Sequence, residues 1–272
     1  MQTHDKLKHL LQESERNEYA LPNDIDMDKL AKDMLAYIGS VDSELRDSLI
    51  YASFYMFFEK EKFSPQQIKG ILLTAIDENH LFHGIDENGT DSVFTRAFSV
   101  LIVPIGLRSH RKTQFLSADE MMHIQAAVVR YIHEEKDMRG YVDDKGWAHA
   151  LAHAADALSA LALCESANVD SLTQILDTIE FILKKPRAIY AYEEDERLTT
   201  AFIEVYNRKI LSEEAMKNWL EKFSIPKKNI PPDTMLLAVS MKNFMRSIYF
   251  RLKEDDPIKQ TVKQYCKCRW VK

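Results

Sequence analysis

The chain contains very little glycine, 7 residues in 272, against an average usage of about 7%. β-Sandwiches and β-barrels need many tight turns, and glycine supplies much of the backbone freedom in those turns. No segment alternates convincingly between apolar and polar residues, which is the pattern of a half-buried strand. The sequence therefore predicts an all-α protein without a β-sheet.

Cysteines and long apolar runs are also scarce. The three cysteines, Cys164, Cys266 and Cys268, do not form a disulfide framework, and such a set is typical of reduced thiols in the cytosol. The N-terminus is charged throughout and lacks the apolar core of a signal peptide. The most apolar stretches, 93–107 and 148–163, contain polar residues and fall short of the ~18 clean apolar residues of a membrane span. We expect a soluble, cytoplasmic protein with no membrane partner.

The common motifs of nucleotide and hydrolase sites are missing as well: there is no P-loop, no GxGxxG and no GxSxG. The net charge of -6 arises from interspersed residues of both signs, which argues against general affinity for nucleic acid. We therefore predict neither a nucleic-acid partner nor a cofactor.

Apolar residues at helical spacing predict a succession of helices joined by short loops. Ser64-Pro65 places a cap and a proline at the start of one helix, and Ser117 with Glu120 has the spacing of a capping box. The predicted helices form roughly five hairpins, which pair 27–38 with 42–60, 64–79 with 92–107, 117–135 with 147–166, 171–184 with 194–210, and 212–223 with 233–253.

The second helix of each later hairpin carries a basic or imidazole residue in an apolar setting: Arg96, His149, Arg197 and Arg246. These residues are 53, 48 and 49 positions apart, slightly more than the roughly 40–47 of HEAT or armadillo repeats. We predict an irregular α-solenoid, a HEAT/armadillo-like superhelix in which the second helices line a concave groove. It would form a single domain over 23–272, after an N-terminal helix and linker over 1–22. A compact helical bundle is the alternative.

The most distinctive segment is 137–156, DMRGYVDDKGWAHALAHAAD. It predicts a loop that leads into a helix beginning at Trp147. This helix is apolar nearly all round and must be buried. On it, His149, His153 and Asp156 fall within about a 60° arc. A polar stripe on a buried helix faces either a groove or an internal network.

Three interpretations of this stripe remain open. In the first, His153 and Asp156 bond to each other and arginines on adjacent helices complete a closed network. In the second, the stripe lines the groove and binds a ligand. In the third, His149, His153 and Asp156 hold a metal or perform acid–base chemistry. The metalloprotease form HExxH is absent, because Ala150 stands where its glutamate would be.

The flanking residues give further candidates. Arg139 lies beside acidic residues and either forms a surface ion pair of little energetic weight or, with the amides at the start of the Trp147 helix, forms an anion site. Trp147 itself is expected to be a packing anchor. Arg96 lies in an apolar helix and needs a buried carboxylate partner, for which we expect Asp156. Arg197 is surrounded by local acids and is a further candidate for the groove.

Four segments together resemble one known family. They are VFTRAFSVLI (93–102), RGYVDDKGWAHALAHAAD (139–156), EDERL (194–198) and MRSIYFRL (245–252). They resemble an uncharacterised bacterial family, domain of unknown function 2785, over about residues 40 to 255. The resemblance implies that the four segments belong to one domain. It supplies no activity, substrate or cofactor, so it assigns no catalytic residue. The matching candidate positions here are Arg96, Arg139, Trp147, His149, His153 and Asp156.

Taken together, the sequence favours a binding or scaffold module whose groove recognises a small polar ligand or a peptide. The groove residues would be Arg96, Arg139, Trp147, His149, His153, Asp156 and Arg197. The alternative is a hydrolase-type enzyme with His149 or His153 as base or metal ligand and Asp156 as orienter. A further alternative keeps the stripe purely structural and leaves the exposed surface to a protein partner. The oligomeric state is open.

Overall fold

A computed structural model of the chain describes residues 3–185, 190–223 and 232–266, with side chains in the last range from Leu236 onwards. Cys268 lies outside the described residues. The chain is mostly helical, as predicted. The helices are α1 His4–Arg16, α2 Met27–Ala36, a π-helix Glu44–Tyr51 that continues into α3 Ala52–Glu59, α4 Pro65–Ala75, α5 Ser92–Val100, α6 Ile102–Thr113, α7 Ala118–Glu134, α8 Ala150–Ala162, α9 Val169–Leu183, α10 Glu194–Asn207, α11 Glu213–Glu221, α12 Pro232–Arg251 and α13 Lys259–Cys266.

The helix starts that the sequence encodes through caps are where we predicted them. Ser64 caps α4 in a full capping box with Gln67, and Pro65 is its first helical residue. Ser117 and Glu120 form the second capping box, at the start of α7. In both cases the side chains satisfy backbone N–H groups that have no partner within the helix.

The predicted helix 92–107 is interrupted at Leu101 and continues to Thr113. Pro104 accounts for the break, because it has no N–H to donate to the carbonyl four residues before it and its ring crowds that carbonyl. The window Ser92–Thr113 is apolar and long enough to cross a membrane, but 78% of it is buried inside the protein. It is therefore the core helix that the sequence indicated.

The prediction of no sheet was wrong. Tyr141–Val142 (β1) and Gly146–Trp147 (β2) form a two-stranded antiparallel sheet, with Tyr141 opposite Trp147. The prediction that a helix begins at Trp147 was wrong for the same reason. The amides of Ala148 and His149 donate back to the carbonyls of Gly140 and Arg139, so the chain stays paired and α8 begins only at Ala150.

Helix α8 occupies the centre of the molecule. It packs against α5, α6 and α10, and it also contacts α7 and α9. Helix α10 in turn contacts α12. Alanines permit this close approach, and eleven residues of α8 are buried. The N-terminal helix α1 packs on the π-helix, with Leu7 and Leu11 fully buried.

Candidate functional site

The predicted stripe on α8 lies in one place, at the N-terminal end of that helix. His149 is the residue that caps α8, and it adopts the left-handed conformation with φ 50°. Such a conformation is uncommon for a residue with a side chain and carries strain. It turns the chain from the sheet into the helix and places the His149 ring against Trp147, with ring centroids 4.2 Å apart in a stacked arrangement.

The Nε2 atom of His149 is buried and has no hydrogen-bond partner. Buried polar side-chain atoms in proteins are nearly always paired, so an exception calls for an explanation. Burial, and then the positive charge of Arg197, lower the pKa of His149 to about 4. The ring is therefore neutral at pH 7, and one of its two nitrogens carries a lone pair.

His153 lies one turn further along α8 and is 6% exposed. Its Nδ1 donates to the carbonyl of Ala97 on α5 at 3.0 Å. Since a carbonyl only accepts, Nδ1 carries the proton of the neutral ring. Burial lowers the pKa of His153 to about 3, and the edge of its ring meets Phe98. The first interpretation of the stripe had His153 bonded to Asp156; in the structure His153 donates to the α5 carbonyl instead, and Asp156 pairs with Arg197.

Asp156 pairs with Arg197 of α10. The pair is partly open, with side-chain exposures of 29% for Asp156 and 38% for Arg197. Burial raises the pKa of Asp156, and Arg197 opposes this shift. The phenol of Tyr51 lies beside the pair, and burial followed by the Asp156 charge raises the pKa of Tyr51.

The expected ion pair between Arg96 and Asp156 was also wrong. Arg96 is fully buried and binds the carboxylate of Glu135 through two nitrogens, at 2.7 and 2.9 Å. Its Nη1 also donates to the carbonyls of His83 and Gly84. Glu135 directly follows α7 and was not a candidate, but it reaches Arg96 more closely than anything on α8. Arg96 ties a loop to two helices and lies away from the stripe.

Arg139 also serves the loop. Its guanidinium contacts the buried carboxylate of Asp137 and donates to the carbonyl of Thr90. Because α8 begins at Ala150, the amides of Trp147 and Ala148 belong to the sheet and not to a helix start. The anion site considered at Arg139 therefore lacks the helix-start amides on which it depended.

The structure adds Arg46 of the π-helix, which sequence reasoning missed. This residue is fully buried, and its guanidinium lies over the rings of Phe94 and Phe98, 4.2 and 4.8 Å from their centroids. Its Nη2 donates to the carbonyl of Lys145 at 2.7 Å and more weakly to that of Trp147 at 3.4 Å. Arg46 thus fixes the sheet that carries Trp147.

Asp47 follows Arg46 and is its charge partner, 2.7 Å from Nε. Burial raises the pKa of Asp47 to about 6. π-Helices are rare and frequently occur at functional sites. The one local sequence signal was an arginine among apolar residues in 45–54, the same signal that singled out Arg96.

A family model described as "Protein of unknown function (DUF2785)" matches residues 81–250. The chain belongs to this family. The match confirms the resemblance seen in the sequence, and it contains all seven predicted groove residues. Arg46, Asp47 and Tyr51 precede it. No curated protein and no solved structure matches the chain.

Of the seven predicted groove residues, the structure brings five together: Trp147, His149, His153, Asp156 and Arg197. Arg96 and Arg139 instead donate to loop carbonyls, those of His83 and Gly84 and that of Thr90. In the described part of the chain, no three His, Cys, Asp or Glu side chains converge to hold a metal ion. We call the five residues, with Tyr51 and Tyr192, the α8 site. Tyr192 precedes α10, and its ring lies 5.5 Å from that of Trp147.

Proposed function

We propose that this chain is a binding module and that the α8 site receives a small polar ligand or a peptide. The helical hairpins would form a HEAT-like α-solenoid, with α5, α8, α10 and α12 as its inner layer. Successive contacts from α5 to α8, α8 to α10 and α10 to α12 support that arrangement. Solenoids commonly bind ligands on the surface that the inner helices share.

The observation that carries the proposal is the buried, unpartnered Nε2 of His149. The surrounding protein holds the backbone of His149 in a strained conformation and still leaves one ring nitrogen without a hydrogen-bond partner. Tyr131 and Trp219 also carry a buried polar atom without a hydrogen-bond partner, but His149 differs from them because it stacks on the partly exposed ring of Trp147. A ligand group that bonds to this nitrogen would remove the deficit.

The rest of the site provides both contact area and charge. Trp147 and Tyr192 are 39% and 42% exposed, so their rings are accessible to a ligand. The Asp156–Arg197 pair is open enough to accept or donate further hydrogen bonds. Exposed aromatic rings beside a few fixed polar groups are typical of ligand sites.

A hydrolase-type enzyme is the second candidate, and the neutral state of His149 favours it. A neutral imidazole with a free nitrogen can take a proton. A pKa of about 4 makes this ring a weak base at pH 7, however, since general bases work best with a pKa near the operating pH. Asp156 contacts Arg197 and does not orient either histidine through any described hydrogen bond.

Binding can be tested by thermal shift with a panel of amino acids, short peptides and organic acids, bases and alcohols. We expect a ligand that raises the Tm of the parent protein and not that of His149→Ala. His123→Ala is the matched control, because His123 is exposed on α7 and outside the α8 site; it should keep the response. Ligands that raise all three Tm values equally would contradict the proposal. Metal analysis of the same preparations tests the metal-dependent form of the enzyme alternative, which predicts stoichiometric metal that is lost in a His149→Ala/His153→Ala variant.

A further inference from the structure

Two aromatic rings of the α8 site, Trp147 and Tyr192, lie together with the neighbouring ring of Tyr141 at the surface. The Tyr141 and Tyr192 rings lie 5.0 and 5.5 Å from the Trp147 ring and nearly perpendicular to it, at 79° and 77°. Tyr141 is 49% exposed, and the other two are about two-fifths exposed. Trp147 has the neutral His149 ring stacked behind it. We call Tyr141, Trp147 and Tyr192 the aromatic trio.

Glycine fixes the geometry of this trio at two positions. A side chain on Gly140 would come within 2.0 Å of the Tyr192 ring, so only glycine lets that ring lie on the strand. Gly146 has φ +80° and faces Arg46 and Ser43, which places the strand of Trp147 directly on the π-helix. The rings are therefore held by the backbone beneath them and are not loose surface side chains.

Three carboxylates flank the trio in the sequence. Asp143 and Asp144 form the turn between the strands of Tyr141 and Trp147, and Glu193 follows Tyr192; all three are exposed. Among the described residues none of these carboxylates has an ion-pair partner. Three cations of the described residues that lie close in sequence to these rings or carboxylates are engaged: Arg139 with Asp137, Lys145 with Asp91, and Arg197 with Asp156. The trio therefore consists of three partly exposed rings, flanked by three carboxylates that have no ion-pair partner among the described residues.

We propose that the aromatic trio binds a small organic cation that carries an alkylated ammonium group. The proposal rests on the proposed function, because it names the ligand class of the same site. Aromatic faces attract such cations through the ring quadrupole, and tryptophan does so best. Alkylated ammonium is weakly hydrated and cannot form the strong hydrogen bonds that a free amine seeks, so it suits rings flanked by carboxylates at a distance. Both tyrosine rings contact the indole of Trp147, so the trio is small enough to bind a single ammonium headgroup.

A matched pair of probes isolates the charge: choline, and its neutral isostere 3,3-dimethylbutan-1-ol. The protein is labelled with 5-fluorotryptophan and titrated in ¹⁹F NMR spectra. The Trp147 signal is assigned by its loss in Trp147→Phe. Trp219 is 4% exposed and is the internal reference. We expect choline to shift the Trp147 signal with saturation and the Trp219 signal to stay constant. The isostere should bind at least about fivefold more weakly, the size of one cation–π interaction.

Three variants test the parts of the site. Tyr192→Leu should weaken choline binding at least about fivefold. Phe250→Leu, at a ring that is 80% exposed outside the site, should leave it unchanged. Asp143→Asn/Asp144→Asn should weaken binding at low salt and reduce its dependence on ionic strength. A peptide with one trimethyllysine tests whether the ligand is a small molecule. If the peptide binds much more tightly than choline, the proposal of a small organic cation as the ligand is wrong.

The failures are distinguishable. Equal binding of choline and its isostere, or no shift of Trp147 with choline while a ligand from the thermal-shift panel does shift it, would overturn the cationic class and leave the α8 site as a binding site. If no ligand shifts Trp147 and none loses its effect in His149→Ala, both the cationic class and the proposed function are wrong.

Discussion

Arg96 and Arg197 occupy comparable positions in the sequence, each on the second helix of a predicted hairpin, yet they have different roles. Arg96 is fully buried and shares a bidentate ion pair with Glu135, which is 5% exposed. Arg197 is 38% exposed in its side chain and pairs with the partly open Asp156. An apolar sequence context therefore indicated burial for Arg96, but it did not identify the partner. That partner comes from a distant part of the chain, and only the packing of the helices determines it.

Removal of Arg96 should be costly. In Arg96→Ala the carboxylate of Glu135 stays buried without its counter-charge, and the carbonyls of His83 and Gly84 lose their donor. We expect a loss of about 3–5 kcal/mol in the free energy of unfolding, measured by urea denaturation. Arg130→Ala is the control, because Arg130 pairs with Glu78 and Glu134 at the surface; it should cost less than about 1 kcal/mol. Similar losses in the two variants would contradict a structural role for Arg96.

His153 should make the protein less stable in mild acid. Its pKa is about 3 in the folded protein against 6.5 as the ordinary value, so below pH 6.5 the unfolded chain binds a proton that the folded protein does not. Stability therefore falls as the pH drops from about 6.5 towards 3. Between pH 7.5 and 5.5 the expected loss is about 1.4 kcal/mol from this residue.

The His153→Asn variant isolates this effect, since its amide can still donate to Ala97. Urea denaturation at the two pH values should show a loss smaller by about 1.4 kcal/mol than in the parent. Asp47 titrates in the same range with the opposite sign, because its pKa is raised to about 6. Its contribution is common to both proteins and cancels in the comparison. An identical pH dependence in parent and variant would show that His153 is not buried in its neutral form.

At the scale of the elements, the sequence predicted those helix starts that residues close together in the chain determine. The cap and proline at Ser64-Pro65 and the capping box at Ser117 gave correct helix starts, because both signals lie within a few residues of the chain. The π-helix, the sheet and the start of α8 at Ala150 were missed. Each depends on contacts between distant segments, above all the bonds from Arg46 to the carbonyls of Lys145 and Trp147. Helical spacing correctly placed His153 and Asp156 on α8, whereas His149 precedes the helix and the turn after the sheet positions it.

Arg46 should therefore control the order of the sheet. In Arg46→Ala the carbonyls of Lys145 and Trp147 lose their donor, and Asp47 loses its charge partner. We expect hydrogen exchange in 140–149 to rise at least about tenfold, since opening this region would cost about 1.4 kcal/mol less. Lys145→Ala is the control, because the side chain of Lys145 pairs with the exposed Asp91. In this variant, hydrogen exchange in 140–149 should stay near that of the parent. Unchanged exchange in Arg46→Ala would show that the sheet does not depend on this contact.

At the scale of the whole molecule, the helices α5, α8, α10 and α12 form a series in which each helix contacts the next one. If the chain is an α-solenoid, as we propose, each hairpin is stabilised only by those next to it. A compact bundle would instead share one core and unfold as a single unit. The two architectures therefore differ in how far a local loss of stability spreads.

Two core substitutions at opposite ends distinguish these architectures. Phe244 of α12 is fully buried among Phe202, Trp219 and Phe223, and Phe54 of α3 is fully buried beside Phe58 and Phe63. Each change to alanine should cost about 3–5 kcal/mol locally. In a solenoid, hydrogen exchange should rise in α10–α13 for Phe244→Ala and in the π-helix to α4 for Phe54→Ala, with the far end unaffected in each case. A compact bundle predicts that both variants accelerate the slowest amides along the whole chain, because those amides exchange through global unfolding.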